Sequence, residues 1–322
     1  MNTHDLIEQY LAARRAQGTA LKSGQRTLMQ FARETGNRPL DEVTPSAVAA
    51  FLRGRDGGLT ATWATRYGLL SSLYRYAIAR GHVRTSALPE QRPQLPPPIT
   101  AYVYSREEVQ RMLDATEAFH NTWSPLQAYT YRTLLLLLYA AGLRVSEALA
   151  LNCDDLDTDE RLLLIRQTKF YKSRLVPTSA RLTEILDLYR LRRSLDLPMP
   201  LGRGSALFAS RTGHRMDYQR VVTLFQRVRA DAGITSPPGQ NRLPRLHDLR
   251  HTAAAHRVEQ WYREGKDVQQ LLPQLATYLG HVSVVSTQRY LQMTPTILQH
   301  ASDRFAAYAE VCATVGRGGA HA

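Results

Sequence analysis

The stretch Leu246-His-Asp-Leu-Arg-His-Thr-Ala-Ala-Ala-His256 opens the segment around which this chain is organised. A helix that starts near His247 places His247 and Arg250 on one face, because residues three apart on a helix are neighbours. The free backbone N–H groups and the positive dipole end of such a helix favour a bound anion. This stretch therefore predicts a helix whose first turn faces a phosphate.

The same segment closes with Leu279-Gly-His281, which is followed nine residues later by Tyr290. Gly280 suits the left-handed C-cap of a helix, and Tyr290 fits the second turn of the next helix. Two imidazoles, a guanidinium and a phenol can then converge on one phosphate. Tyr278 is the competing phenol, but its place on an apolar helix face ahead of Gly280 favours packing.

Composition restricts the kind of partner. The chain has 322 residues, an apolar fraction of 43%, a formal charge of +13 and a pI near 10.0. This length predicts two domains, and the charge indicates a polyanion, most often nucleic acid. The longest apolar run, 134–142, is too short to span a bilayer, and no secretion signal is evident. Cys153 and Cys312 show no metal-binding spacing. We therefore expect a cytoplasmic protein without membrane partners.

Residues 1–92 predict an all-helical domain, because apolar residues recur at helical spacing between glycine breaks. The proline-rich segment that follows predicts a semi-rigid linker over 93–104. Residues 105–315 predict a second domain and 316–322 a disordered tail. Basic residues occur in both domains, and any single one is more often a solvated surface charge than a ligand contact. The candidate DNA contacts are Lys22, Arg26, Arg66, Arg75, Lys172 and Arg174.

The second domain predicts a mainly α fold with a small antiparallel β-sheet. Ser105 and Glu108 form a capping-box pattern, and an apolar helix should run from about Trp123 to Ala141. Two β-prone runs, 162–167 and 174–176, predict a hairpin that carries Lys169 near its tip. An amphipathic helix over 296–311 presents an apolar face to its own domain or to a neighbouring subunit.

Metal-free transfer of a phosphodiester requires an in-line nucleophile, cations that neutralise the developing charge, and an acid for the leaving oxygen. Arginine suits the cationic role because its planar fork pairs with phosphate oxygens. Lysine suits the acid because its pKa falls near other cations. The candidate catalytic residues are Arg144, Lys169, His247, Arg250, His281 and Tyr290.

With these motifs the chain resembles a tyrosine recombinase of the phage-integrase type. Ala-Ala-Gly-Leu-Arg144-Val-Ser-Glu147 is similar to the first arginine box of that family, and Lys169 with Lys172-Ser-Arg174-Leu-Val-Pro177 is similar to its hairpin segment. His247-Asp-Leu-Arg250-His-Thr is similar to its HxxR box, and Leu279-Gly-His281 with Tyr290 is similar to its last box. The hairpin departs from the frequent Gly-Lys-Gly pattern, so Lys169 and Lys172 both stay candidates for the acid.

The resemblance implies that Tyr290 forms a 3′-phosphotyrosyl link while Arg144 and Arg250 clamp the phosphate. His281 would hydrogen-bond to the phosphate, His247 would help to take the tyrosine proton, and the hairpin lysine would protonate the 5′-oxygen. The same resemblance implies an N-terminal core-binding domain, double-stranded DNA as substrate and no cofactor. It also implies a dimer at each site and a tetrameric synapse, with accessory recombinases or DNA-bending proteins as further partners. The stretch 272–281 resembles recombinases of transposons and integrative elements.

Three alternatives remain beside this interpretation. His247 and His251 are four apart, a spacing that predicts a helical zinc site, although Asp248 stands where a zinc hydrolase has glutamate. A DNA-binding protein with an inactive recombinase fold is the second alternative, and a type IB topoisomerase is the third. Glu147 and Asp248 are expected to orient an arginine or cap a helix rather than to exchange protons.

Overall fold

The computed structural model describes the chain from residue 1 to residue 280, and beyond that only Thr287. Within residues 1–280 it leaves out 19–20, 55–58, 95–100, 121–122, 125, 167–172, 198–201, 203 and 239–241. The chain divides into two compact units, Met1–Ile99 and Thr100–Ala322. The division falls within the segment 93–104 that was expected to be a linker.

Helices joined by turns and loops make up the described part of the first unit. Its helices are α1 (Thr3–Ala16), α2 (Lys22–Glu34), α3 (Pro45–Arg53) and α4 (Ala61–Ala79). Thr44 caps α3 by accepting a hydrogen bond from the Ala47 N–H, and Pro45 occupies the first turn, where no backbone donor is needed. Leu28, Phe31 and Leu73 are fully buried between these helices and form the centre of the core.

The second unit contains the remaining helices and a small sheet. Its helices are α5 (Arg106–Ala115), α6 (Leu126–Ala140), α7 (Val145–Ala150), α8 (Ala180–Asp196), α9 (Tyr218–Asp231), α10 (Asp248–Arg263) and α11 (Val268–Leu279). The predicted capping box at Ser105 and Glu108 is confirmed, since each side chain accepts a hydrogen bond from the backbone N–H of the other residue.

Three short strands make an antiparallel sheet in the order β1 (Leu156–Asp157), β2 (Leu162–Ile165) and β3 (Arg174–Pro177). Strands β2 and β3 pair from Leu162 opposite Pro177 to Ile165 opposite Arg174. The predicted strands are thereby confirmed, while the connecting residues 167–172 lie outside the described part. The mainly α fold with a small antiparallel sheet is confirmed.

Helix α6 runs through the core of the second unit, with Leu134 and Leu137 fully buried. The helix was expected to start at about Trp123, but it starts at Leu126, and Trp123 is 82% exposed. The apolar character of tryptophan therefore gave the wrong helix boundary. No helix in the described residues is both long and apolar enough to cross a membrane.

Candidate active site

Arg144 lies in the turn that joins α6 to α7. Gly142 adopts φ +59° in this turn, and a Cβ there would lie 2.8 Å from Cδ2 of Leu279, so glycine allows α11 to approach closely. Arg144 is the N-cap of α7, and its backbone N–H donates to Oε2 of Glu147 at 3.0 Å. Its side chain donates from Nη1 to Oε1 of Glu147 at 2.7 Å and from Nη2 to the Gly280 carbonyl at 3.1 Å. About a third of the Arg144 side chain, 32%, is exposed.

Arg250 lies in the first turn of α10 and is buried beside the turn that joins α6 to α7. Its Nη1 donates to the Gly142 carbonyl at 2.7 Å, and its Nη2 donates to the Leu279 carbonyl at 2.5 Å. The guanidinium therefore joins the turn before Arg144 to the last residues of α11. Because helix-terminal carbonyls lack intrahelical partners, an arginine that satisfies them fixes both segments.

Glu147 is the common partner of three arginines. Its carboxylate bonds to Arg144 and Arg174, and Nη1 of Arg250 lies 3.8 Å from Oε2. Burial alone would raise the Glu147 pKa, but hydrogen bonds from Arg174 and Arg144 outweigh it and lower the pKa to about 2. The carboxylate is ionised at neutral pH. The expectation that Glu147 orients an arginine is confirmed, and we call Glu147, Arg144, Arg174 and Arg250 the Glu147 cluster.

Arg174 does not occupy the open surface position expected of a DNA contact. Its Nη1 and Nη2 donate to the two oxygens of Glu147 at 3.0 Å and 2.9 Å, and its Nε donates to the Tyr278 carbonyl at 3.1 Å. Only 14% of its side chain is exposed. These internal bonds occupy the guanidinium, which argues against the predicted phosphate contact.

Two histidines lie at the start of α10. His247 is the N-cap residue, and its ring lies edge-to-face with His251 at a centroid distance of 5.0 Å. Burial, followed by the positive charges of Arg250 and Arg245, lowers the pKa of His247. Burial and the neighbouring His247 lower the pKa of His251 to about 4. Both imidazoles are therefore neutral at pH 7, as a proton acceptor must be.

Asp248 organises the entry to α10. Its buried carboxylate accepts from the Arg245 backbone N–H at 2.8 Å and from Arg245 Nη2 at 3.0 Å. The expected structural role of Asp248 is thereby confirmed. The described residues include no group of three His, Cys, Asp or Glu side chains that could hold a metal ion, so they give no support to the zinc alternative.

Three of the six candidate catalytic residues are described, and the cluster brings Arg144 and Arg250 together. His247 lies one helical turn before Arg250. Lys169, His281 and Tyr290 lie outside the described residues, as do Lys172, the helix expected over 296–311 and the tail 316–322. The structure does describe two neighbouring positions in the sequence. Arg174 follows the segment 167–172, and Gly280 directly precedes His281. Gly280 is the left-handed C-cap of α11 (φ +68°), as predicted.

The helical unit places its candidate DNA contacts in different environments. Arg26 and Arg75 are exposed, and the side chain of Lys22 is not among the described ones. Arg66 is instead half-buried, and its Nη1 donates to the Phe51 carbonyl at 2.7 Å while its guanidinium lies 4.9 Å from the centre of the Phe51 ring. Arg66 therefore stabilises the contact between α3 and α4.

Sequence reasoning did not single out a basic cavity of about 500 Å³ at the C-terminal ends of α1 and α4. Arg75 lines it together with Arg14, Arg80 and the rings of Tyr10 and Tyr76. None of these three arginines pairs with a carboxylate among the described residues. Basic residues at helical spacing were visible in the sequence, but only the packing of α1 against α4 gathers them.

Comparison with known proteins identifies the family to which this fold and these arginines belong. Residues 103–296 match the Phage integrase family. A Sinorhizobium fredii protein named as an integrase/recombinase, y4rB, is 34% identical over 303 residues, covering 92% of this chain and 95% of the relative. The tyrosine recombinase XerD of Mycobacterium tuberculosis is 33% identical over 304 residues, covering 90% and 91%. The chain belongs to the phage integrase family of tyrosine recombinases, enzymes that cut and rejoin DNA.

A solved structure agrees with this assignment at the level of the fold. The Tn1549 transposon integrase, in complex with a circular intermediate DNA, matches with a TM-score of 0.66 at 16% identity. The match covers 95% of this chain and 99% of that chain. The structural likeness therefore extends across both units.

Proposed function

We propose that this tyrosine recombinase integrates or excises a mobile element by cutting and rejoining duplex DNA at specific sites through a 3′-phosphotyrosyl bond to Tyr290. The Glu147 cluster carries the proposal. It fixes Arg144 and Arg250 against the carbonyls of residues 142, 279 and 280, immediately before His281. A protein that only binds DNA does not need two arginines held in fixed orientations, whereas stabilisation of a transition state does.

In the proposed reaction the Tyr290 oxygen attacks the scissile phosphorus, and the bond from phosphorus to the 5′-oxygen breaks. The neutral ring of His247 helps to accept the phenol proton, while Lys169 or Lys172 protonates the leaving 5′-oxygen. The phosphodiester energy is conserved in the covalent link, so a 5′-hydroxyl can reverse the step without a cofactor.

The two arginines act from different depths in this proposal. Arg144 keeps 32% of its side chain exposed and meets the non-bridging oxygens of the phosphate directly. The Arg250 side chain is 3% exposed, and both of its Nη atoms donate to backbone carbonyls. It therefore contributes positive charge from the buried side of the site without contacting the phosphate. In a site shielded from water, such fixed charges stabilise the extra negative charge of the transition state. His281 adds a hydrogen bond to the same phosphate.

The helical unit over 1–92 would bind the flanking duplex, and the domain over 105–315 would carry the chemistry. The exposed Arg26 and Arg75 and the basic cavity beside Arg75 support DNA contact by the first unit. Such contacts to the backbone neutralise phosphates without reading sequence. DNA in the complex of the structurally similar Tn1549 integrase supports the same partner. Action on DNA favours the cytoplasm as the compartment.

The stoichiometry of the reaction favours a homo-oligomer. Each protomer offers one Tyr290, whereas exchange between two duplexes requires four strands to be cut. A dimer at each site and a tetramer at the synapse satisfy this count, and the apolar face expected over 296–311 would join the protomers. Accessory recombinases or DNA-bending proteins would complete the assembly. The name of the y4rB relative and the transposon origin of the Tn1549 integrase support a mobile element as the substrate.

The test is a covalent-adduct assay on a supercoiled plasmid that carries the ends of the native element. Wild-type protein and Tyr290→Phe are compared on a denaturing gel with and without EDTA. The proposal predicts an EDTA-resistant adduct that Tyr290→Phe abolishes. Cleavage that EDTA abolishes would support a metal enzyme instead. Specific binding without any adduct at the mapped site would indicate an inactive recombinase fold, and relaxation without strand exchange would indicate a topoisomerase.

A further inference from the structure

We infer that Arg174 is a positioning residue for strand cleavage, which aligns the phosphate-binding arginine with the segment that precedes His281. This inference rests on the proposed function. It differs from the DNA contact that the sequence suggested for Arg174. Arg174 touches no reacting atom and acts through Glu147 and through the end of α11.

The bonds of Arg174 connect three elements. The residue begins β3, which pairs with β2 and follows the candidate lysines in the sequence. Its Nη atoms hold both oxygens of Glu147 on α7, and its Nε holds the Tyr278 carbonyl near the end of α11. One rigid guanidinium therefore fixes the distances between β3, α7 and the last turn of α11.

Glu147 transmits this constraint to Arg144. Oε1 of Glu147 accepts from Nη1 of Arg174 at 3.0 Å and from Nη1 of Arg144 at 2.7 Å. A carboxylate held by one bidentate partner cannot rotate freely, so the position of Arg144 depends on the fork of Arg174. Lysine would keep the positive charge but offers a single flexible ammonium that cannot hold both oxygens and the carbonyl in this geometry.

The backbone at Gly280 lies directly on the same guanidinium. A Cβ built on Gly280 would lie 2.8 Å from Nη1 and 2.9 Å from Cζ of Arg174, closer than atoms can approach without displacement. Arg144 also donates to the Gly280 carbonyl at 3.1 Å. Gly280 thus lies between the two arginines, and Arg174 sets the point at which the chain leaves α11 towards His281.

The experiment separates DNA binding from cleavage in Arg174→Lys and Arg174→Gln. Each protein is titrated with the DNA site mapped in the adduct assay, at several salt concentrations. Cleavage is then followed in a single turnover on nicked DNA that traps the adduct. Arg166→Lys is the matched control, because Arg166 also pairs with a buried carboxylate, Asp155, at 2.5 Å beside the same sheet. Within the described part of the chain, Arg166 makes no hydrogen bond or ion pair with the Glu147 cluster.

We expect Arg174→Lys to slow cleavage by about 10- to 100-fold, since small misplacements of catalytic groups cost this much. Its Kd should stay within about threefold of wild type and its salt slope should not change, because no phosphate contact is lost. In a Glu147→Gln background the Arg174→Lys substitution should slow cleavage little further, because both substitutions disrupt the same pair of hydrogen bonds between Arg174 and Glu147. Arg166→Lys should cleave at the wild-type rate.

Three results would overturn the inference. Wild-type cleavage by Arg174→Lys would show that the fork is dispensable. Weaker binding with a salt slope reduced by about one would reveal a phosphate contact. Unfolding of both Arg174 variants at the assay temperature, measured by thermal melting, would assign Arg174 to stability alone. If wild type itself forms no Tyr290-dependent adduct, the proposed function fails, and that result is distinct from the other three.

Discussion

Replacing Gly280 by alanine tests the contact between the end of α11 and Arg174. Gly280 has φ +68°, a conformation that costs a residue with a Cβ about 1–2 kcal/mol. The added methyl group would also lie 2.8 Å from Nη1 of Arg174, so the guanidinium or the backbone must move. Overpacking of this kind costs about 1–3 kcal/mol more.

Gly265→Ala is the matched control for this substitution. Gly265 follows α10 with φ +69°, and a Cβ there would meet no heavy atom within 4 Å. It therefore carries the same backbone strain, and the same change in the entropy of the unfolded chain, without the clash. The free energy of unfolding should fall by about 1–2 kcal/mol in Gly265→Ala and by about 2–5 kcal/mol in Gly280→Ala.

Thermal melting and single-turnover cleavage measure the two consequences. For a domain of this size the melting temperature of Gly280→Ala should lie roughly 2–12 °C below that of Gly265→Ala. Gly280→Ala should also lose most of its cleavage rate, because displacement of Arg174 disturbs Arg144, whereas Gly265→Ala should cleave normally. Equal stability and equal cleavage in the two variants would refute the packing of Gly280 against Arg174.

Titration and surface charge give further predictions. Glu147 has a pKa of about 2 in the folded protein, against an ordinary value near 4.5. Its ionised carboxylate therefore stabilises the fold by about 3 kcal/mol above pH 4.5, and this stabilisation is lost as the pH falls towards 2. In Glu147→Gln, the free energy of unfolding measured by chemical denaturation should no longer show this dependence on pH. His251 stays neutral down to about pH 4 when folded, so stability should fall as the pH drops from 6.5 to 4, and His251→Gln should flatten that range. Arg75→Ala should reduce the salt slope of DNA binding by about 0.9, while Arg66→Ala, which loses the bond to Phe51, should instead lower the melting temperature of the helical unit.

Local signals in the sequence were sufficient for many elements of the fold. The Ser105–Glu108 capping box and the Gly280 C-cap depend on bonds between residues a few positions apart, so the local sequence is sufficient to predict them. The same holds for His247 and Arg250, which share one helical turn. The start of α6 was misplaced because Trp123 looks apolar in the sequence, although its side chain is 82% exposed in the fold.

The Glu147 cluster was only partly visible from the sequence. Its arginine-box pattern placed Glu147 three residues after Arg144, in the first turn of the helix that Arg144 caps. The pairing of Glu147 with Arg174 could not be predicted, because the two residues are 27 positions apart on different elements and no local periodicity relates them. Arg66 shows the same limit, since its bond to Phe51 spans two helices. Tertiary packing decides whether an arginine is exposed to solvent or forms hydrogen bonds that hold two elements of the fold together.

Mass spectrometry of the trypsin-digested adduct locates the covalent bond and so tests directly whether Tyr290 is the nucleophile. The two competing phenols fall on different tryptic peptides, because Arg289 separates residues 267–289, which contain Tyr278, from residues 290–304, which begin with Tyr290. Tyr278 bonds to the Pro177 carbonyl at 3.3 Å, and burial raises its pKa, as expected for a packed side chain. We expect a nucleotide linked through its 3′-phosphate to Tyr290. A nucleotide on peptide 267–289, or a link through the 5′-phosphate, would contradict it.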